Sequence, residues 1–146
     1  MNSAELVDML NRLLESELMA LEFYHIHADA IPEAEIAEGV RSILPAEQAH
    51  AASLTARIHD LGGIPVRAGG SASAKGRELG EISRSRGTLA MLSLELEQER
   101  QAIKDYAVAV ADLLNDMETL EMLEEQLFDE MRHAKWFKQT IMKLSG

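Results

Sequence analysis

Two stretches, Glu47-Gln48-Ala49-His50 and Glu130-Met131-Arg132-His133, place a carboxylate and an imidazole three residues apart. On a helix that spacing puts both groups on one face, where they can grip the same metal ion. Leu123, Leu127, Ala134, Phe137, Ile141 and Leu144 recur around Glu130 at helical spacing. Glu130 falls in the middle of that apolar stripe and His133 on its edge. Val40, Ile43, Leu54, Ile58 and Leu61 form the corresponding stripe around Glu47 and His50. A carboxylate aimed into a core is costly unless something pairs with it. One such pair alone would read as a polar patch on a helix surface. With 18 Glu and five His in 146 residues, chance supplies roughly 0.6 pairs at this spacing. Three occur. The third, Glu22 with His25, lies on the far side of its helix and is expected in solvent or at an interface.

The elements that must position these groups read as helices. Abundant Ala, Leu, Glu and Met with only three prolines favour helix. The length suits one domain with a sizeable core, 1–146. Four long helices are expected, at about 3–30, 33–61, 88–114 and 117–144. Ser3 and Asp116 are candidate N-caps. Pro45 lies inside the second helix and predicts a kink, because the apolar period holds phase across it. Gly62, Gly63 and Pro65 end that helix. The Gly-, Ser- and Ala-rich stretch 67–80 reads as a long crossover loop, with room for a short helix near 75–83. The fold class is therefore all-α, an antiparallel four-helix bundle with a long crossover between its second and third helices.

Two more carboxylates face inward. Glu17 lies mid-stripe on the first helix, with Leu6, Leu10, Leu13, Leu21, Tyr24 and Ala28. Glu99 lies mid-stripe on the third, with Leu92, Leu96, Ile103, Tyr106, Val110 and Leu113. The chain also repeats: Glu17, Ala20 and Tyr24 match Glu99, Ala102 and Tyr106 in spacing. From Glu17 to Glu47 is 30 residues and from Glu99 to Glu130 is 31. That near-equality selects Glu99 over Glu95, one turn earlier. The chain thus reads as two hairpins, each carrying Glu and then Glu-x-x-His. Four Glu and two His can converge at one level of the bundle. Tyr24 and Tyr106 lie on the site faces, where they can hydrogen-bond the carboxylates or simply pack. Glu95 and Asp129 are candidates to orient a ligating His through its other ring nitrogen. His27 has no partner identifiable from sequence.

That set of side chains matches the di-iron and di-manganese carboxylate bundles. The chain resembles the ferritin-like superfamily, nearest to bacterioferritin and the helical domain of rubrerythrin, over everything but the 67–80 stretch. The resemblance implies two iron ions, with Mn or Zn as alternatives by ligand hardness. It implies Glu47 and Glu130 bridging them, with Glu17 and His50 terminal on one and Glu99 and His133 on the other. It implies binding of Fe(II) and its oxidation by O2 or H2O2, as a ferroxidase or a peroxidase. Iron storage and di-iron oxygenation of an organic substrate are the alternatives. The chain departs from its relatives in places. The Cys-rich rubredoxin module of rubrerythrin is missing, since there is no cysteine. Gln48 stands where bacterioferritin has its haem-ligating Met, so no haem is expected.

Net charge of −11 argues against a nucleic-acid partner. No apolar run spans a membrane and no basic-then-apolar leader opens the chain, so a cytoplasmic location is expected. Met19, Phe23, Ile26 and Ala30 form a second apolar strip on the first helix, which predicts a homodimer contact there. The chain runs only 13 residues past His133, short of the fifth helix common in storage cages. A small assembly is therefore expected.

Overall fold

The computed structural model describes residues 1–146, in five helices and no strands. They are α1 (Ser3–Ala30), α2 (Ala34–Asp60), α3 (Ser71–Arg84), α4 (Thr88–Asp112) and α5 (Met117–Ser145). Helices α1, α2, α4 and α5 make the bundle. Asn2 rather than Ser3 caps α1, its side chain accepting from the Glu5 amide at 2.9 Å. Helix α2 runs unbroken through Pro45, whose ring is on the exposed side. Beyond the end of α2 the chain turns at Gly62, whose φ of +80° glycine adopts without strain. No helix is long and apolar enough to cross a membrane.

Every adjacent pair in the bundle is antiparallel. Short turns reverse the chain between α1 and α2 and between α4 and α5. Across the other two contacts, numbers rise on one helix as they fall on the other. Glu17 meets Tyr106 and Tyr24 meets Glu99 between α1 and α4. Arg57 meets Thr119 and His50 meets Asp129 between α2 and α5. The crossover makes this possible by carrying the chain back along the bundle before α4 begins.

The crossover departs from the expected loop over 67–80. It holds the 14-residue helix α3, which lies along α1. Its inner face is Ser73, Gly76, Gly80 and Ser83, all buried. These small residues allow close approach: a Cβ at Gly76 would overlap the Met19 carbonyl oxygen, and one at Gly80 would overlap Ile26 and Phe23. The short helix allowed near 75–83 is present but starts earlier, at Ser71, and glycine and serine, which read as loop, here serve as its packing face. Asn11 pins the chain leading to it, donating to the Ile64 carbonyl at 3.0 Å and accepting from the Val66 amide at 2.9 Å.

This placement corrects the expected dimer contact. The strip Met19, Phe23 and Ile26 is covered by the chain's own α3, and Phe23 is fully buried. Arg77 of α3 also reaches Glu22 at 3.4 Å. The strip was an interface, but an intramolecular one.

Two apolar clusters of 14 buried residues each fill the bundle. One includes Leu10, Leu14, Leu54, Ile58 and Leu123; the other includes Phe23, Val40, Leu92 and Phe137. Between them lies a polar layer. Glu17 follows Leu14 and precedes Ala20, and Glu99 lies between Leu96 and Ala102. Glu47 and Glu130 occupy the same level on α2 and α5. At the far end of α5 its start is tied to α2. The Arg57 guanidinium donates to Asp116 at 2.8 Å and to the Thr119 hydroxyl at 2.7 Å, while Asp116 caps α5 by accepting from the Thr119 amide at 3.0 Å. Burial works to raise the Asp116 pKa, but Arg57 and Thr119 outweigh it and hold the carboxyl below the usual aspartate value.

Two stability measurements test this packing. At an open helix position Gly→Ala stabilises by about 0.5–1 kcal/mol. Gly76→Ala is expected to lower the urea midpoint instead, since the clash is with α1 backbone that cannot rotate away. Asp116→Ala is expected to destabilise by about 1 kcal/mol, the usual worth of a lost N-cap. Because the folded pKa is depressed, the charge-dependent part is complete above about pH 4 and is lost as pH falls further. The gap between parent and variant should therefore narrow in acid.

Candidate metal centre

The polar layer brings together all six side chains singled out for metal binding, in two overlapping groups. Glu17, Glu47, His50 and Glu130 each offer one atom within 4.8 Å of the others, and so do Glu47, Glu99, Glu130 and His133. Glu47 and Glu130 belong to both groups. They come from α2 and α5, the helices that carry the Glu-x-x-His stretches, and face one another across the bundle. Helical spacing turns each following His to the same side. His50 Nδ1 lies 3.1 Å from Glu130 and 3.5 Å from Glu17, and His133 Nδ1 lies 2.9 Å from Glu47 and 3.7 Å from Glu99.

Each of the six carries one buried atom without a hydrogen-bond partner: Oε2 of Glu17 and Glu99, Oε1 of Glu47 and Glu130, and Nδ1 of His50 and His133. The carboxylate oxygens near each Nδ1 are close but off the line of the ring N–H. Buried polar atoms are almost always paired, so six orphans around one space call for a shared partner. Hard oxygen and imidazole donors fit a divalent transition metal, and four carboxylates match the charge of two such ions. The donor set and its geometry fit two ions.

Without cations the layer balances its charge with protons. Burial, followed by the charges of neighbouring carboxylates, pushes Glu47 and Glu130 well above the usual range. Burial works to raise Glu17 too, but Glu47, His50 and Tyr106 outweigh it and hold that carboxyl below 4.5. Burial opposes a charge on His50, yet its contacts with Glu130 and Glu17 raise its pKa to about 11. These protons hold places that metal ions can take.

The surrounding residues hold the layer in register. The two tyrosines bond crosswise: Tyr24 of α1 donates to Glu99 of α4, and Tyr106 of α4 donates to Glu17 of α1 at 2.9 Å. Burial and the nearby carboxylates raise both phenols, so both stay donors. Asp129 meets Nε2 of His50 at 2.8 Å, leaving Nδ1 turned inward. Arg132 in turn donates to Asp129. Glu95 takes a different part from the one expected. It does not reach a His of the layer; it meets Nδ1 of His27 at 2.5 Å. His27, for which sequence offered no partner, lies one turn from Tyr24, fully buried between Glu95 and Ser83. Its signal was present in the register, three residues after Tyr24, but its partners stand 68 and 56 residues away. Among the six, His133 alone nears the surface, its side chain 12% exposed against 4% or less for the others.

Comparison with known proteins agrees with this geometry. A solved structure described as a ferritin-like, di-iron carboxylate protein from Bacillus anthracis superposes with a TM-score of 0.76 at 25% identity. The match covers 97% of this chain and 99% of that one. A family model of the ferritin-like domain matches residues 7–146. With nearly the whole sequence inside that match and the carboxylate layer at its centre, the chain belongs to the ferritin-like di-iron superfamily.

Proposed function

We propose that this protein binds two Fe(II) ions in the polar layer and oxidises them with O2 or H2O2, in ferroxidase or peroxide-reducing chemistry. The observation that carries the reading is the set of six orphaned donor atoms facing one space, two of their residues shared between both groups. Glu47 and Glu130 would bridge; Glu17 with His50, and Glu99 with His133, would complete each ion's ligands. When bound, the two Fe(II) ions supply two electrons to the oxidant. Everything else is done by the chain. Asp129 fixes the His50 ring so that Nδ1 faces inward. Tyr24 and Tyr106 hold Glu99 and Glu17 by hydrogen bonds without competing as ligands. The two apolar clusters above and below exclude bulk water from the layer.

The close packing favours a small oxidant over an organic substrate. Two large surface clefts, of about 440 Å³ and 520 Å³, are lined by residues such as Met1 and Asp112 and by Ser3 and Ile64. Neither is lined by any of the six donors. Storage would require a closed shell. Light scattering at micromolar protein separates it from catalysis, since a particle of a dozen or more chains would favour storage.

Anaerobic Fe(II) titration is expected to saturate at about two ions per chain, as the ligand count requires. Glu47→Ala and Glu130→Ala should each abolish cooperative loading, because each removes a donor from both groups. If both variants load two ions and oxidise them at the parent rate, the layer is not the site. Metal at 100 times its Kd should also raise the unfolding free energy by about 2.7 kcal/mol for each ion bound.

Asp129→Ala should weaken metal affinity by about 10–100-fold, the usual effect of releasing a ligand His from its orienting partner. Competition against a metallochromic chelator reads this directly. Unchanged affinity would mean that packing alone holds the His50 ring.

A further inference from the structure

The repeat that relates the two halves of the layer is broken at two positions that touch. Counting back four from each inward Glu gives Leu13 on α1 and Glu95 on α4. Counting on three from each Tyr gives His27 on α1 and Ala109 on α4. At the Glu17 end the corresponding residues, Leu13 and Ala109, lie in one apolar cluster. At the Glu99 end they are a buried acid and a buried imidazole, both 0% exposed and 2.5 Å apart. A close pair of ionisable groups in a core is expensive, and packing alone would be served by the apolar version present at the other end.

The hydrogen bonds around the pair run in one direction. The Ser83 hydroxyl donates to α3 carbonyls, Leu79 at 2.9 Å or Gly80 at 3.0 Å. With its hydrogen there, it accepts from His27, whose Nε2 lies 2.7 Å away. In that arrangement Nε2 carries the hydrogen, so in a neutral ring Nδ1 is bare and accepts from a protonated Glu95. Burial drives both groups toward that neutral form: it lowers His27 to about 4, and with the Glu99 charge it raises Glu95 well above the usual range. The other Glu95 oxygen has no hydrogen-bond partner. The Tyr24 hydroxyl, which donates to Glu99, lies beside the Glu95 carboxyl as well. The order from the layer outward is thus Glu99, Tyr24, Glu95, His27, Ser83.

We propose that Glu95 and His27 are an internal proton donor–acceptor pair of the centre that serves only its Glu99–His133 half. The proposal rests on the two-ion reading above. When cations fill the layer, the Glu95 O–H bond breaks and an N–H bond forms at Nδ1 of His27. The pair becomes carboxylate and imidazolium, with no proton entering or leaving the protein and no electron moved. The negative charge lies on the member nearer the cations and the positive charge on the farther one, so the cations favour the transfer. Ser83 accepts from Nε2–H in both states and holds the ring in place throughout. The Glu17 half, with Leu13 and Ala109, has no such response, so the two metal positions differ.

Zn(II), which is diamagnetic and redox-inactive, tests this without turnover. In metal-free protein with 15N-labelled imidazoles, His27 should show one bare and one protonated nitrogen. After two Zn(II) per chain, both nitrogens should move to the shifts of a doubly protonated ring. His27→Gln assigns the signal, and contacts to the Phe23 ring, 5.8 Å away, assign it independently if that variant does not fold. In Glu95→Gln no proton is available, so His27 should stay neutral when Zn(II) is added. Two bound Zn(II) with His27 still neutral would overturn the pair's role alone. An imidazolium already present in metal-free protein, or an equal response in Glu95→Gln, would overturn it too. If two Zn(II) do not bind, the stoichiometry shows that the two-ion reading has failed and the pair's role falls with it.

Discussion

Four carboxylates and two imidazoles buried at one level of a helical bundle are the constraint on which the rest of this structure depends. An unpaired ionised carboxylate in a core is costly, and four repel one another besides. The chain meets that cost in several ways at once. Protons on Glu47 and Glu130 and a charged His50 lower the net charge in the absence of metal. Tyr24 and Tyr106 donate across the bundle to Glu99 and Glu17. Six donor atoms are still left without partners, so the layer is under-satisfied by design of the fold. The stability for this comes from the two apolar clusters that enclose it.

The crosswise tyrosines show how a sequence repeat becomes a three-dimensional site. Each hairpin supplies a Glu and, seven residues on, a Tyr. In an antiparallel pair of helices the Tyr of one half comes level with the Glu of the other. The repeat therefore encodes mutual support between the hairpins, because neither half can satisfy its own Glu in this way. Where the repeat is exact the site is two-fold in character. Where it breaks, at Leu13 and Glu95 and at His27 and Ala109, one end of the layer acquires groups that the other lacks.

Helix α3 contributes more than a connection. Its face of Ser73, Gly76, Gly80 and Ser83 lets it lie close along α1, covering the apolar strip that includes Phe23. Ser83 also reaches His27, which ties the crossover to the end of the layer at Glu99. The link between chain reversal and site is thus a physical one, through one hydroxyl that lies within hydrogen-bond distance of both His27 and the backbone of α3.

Helical periodicity and the doubled Glu-x-x-His spacing determined, with no coordinates, the four long helices, the inward Glu and His, and the level at which they meet. Those features are local: a helix face follows from residue spacing alone, and two hairpins of equal span must bring equal positions together. Asp129 was legible only as a candidate beside Glu130; that it meets His50, 79 residues away on α2, was decided by the packing of α5 on α2. What the tertiary structure decided was which surfaces meet. Glycine and serine read as loop until α1 lay against them, so the full length of α3 and the cover it gives to Met19, Phe23 and Ile26 were hidden. The same holds for His27 and Glu95, 68 residues apart in the chain and 2.5 Å apart in space. Spacing within a helix says where a side chain points, but only the packing of one helix on another says what it meets.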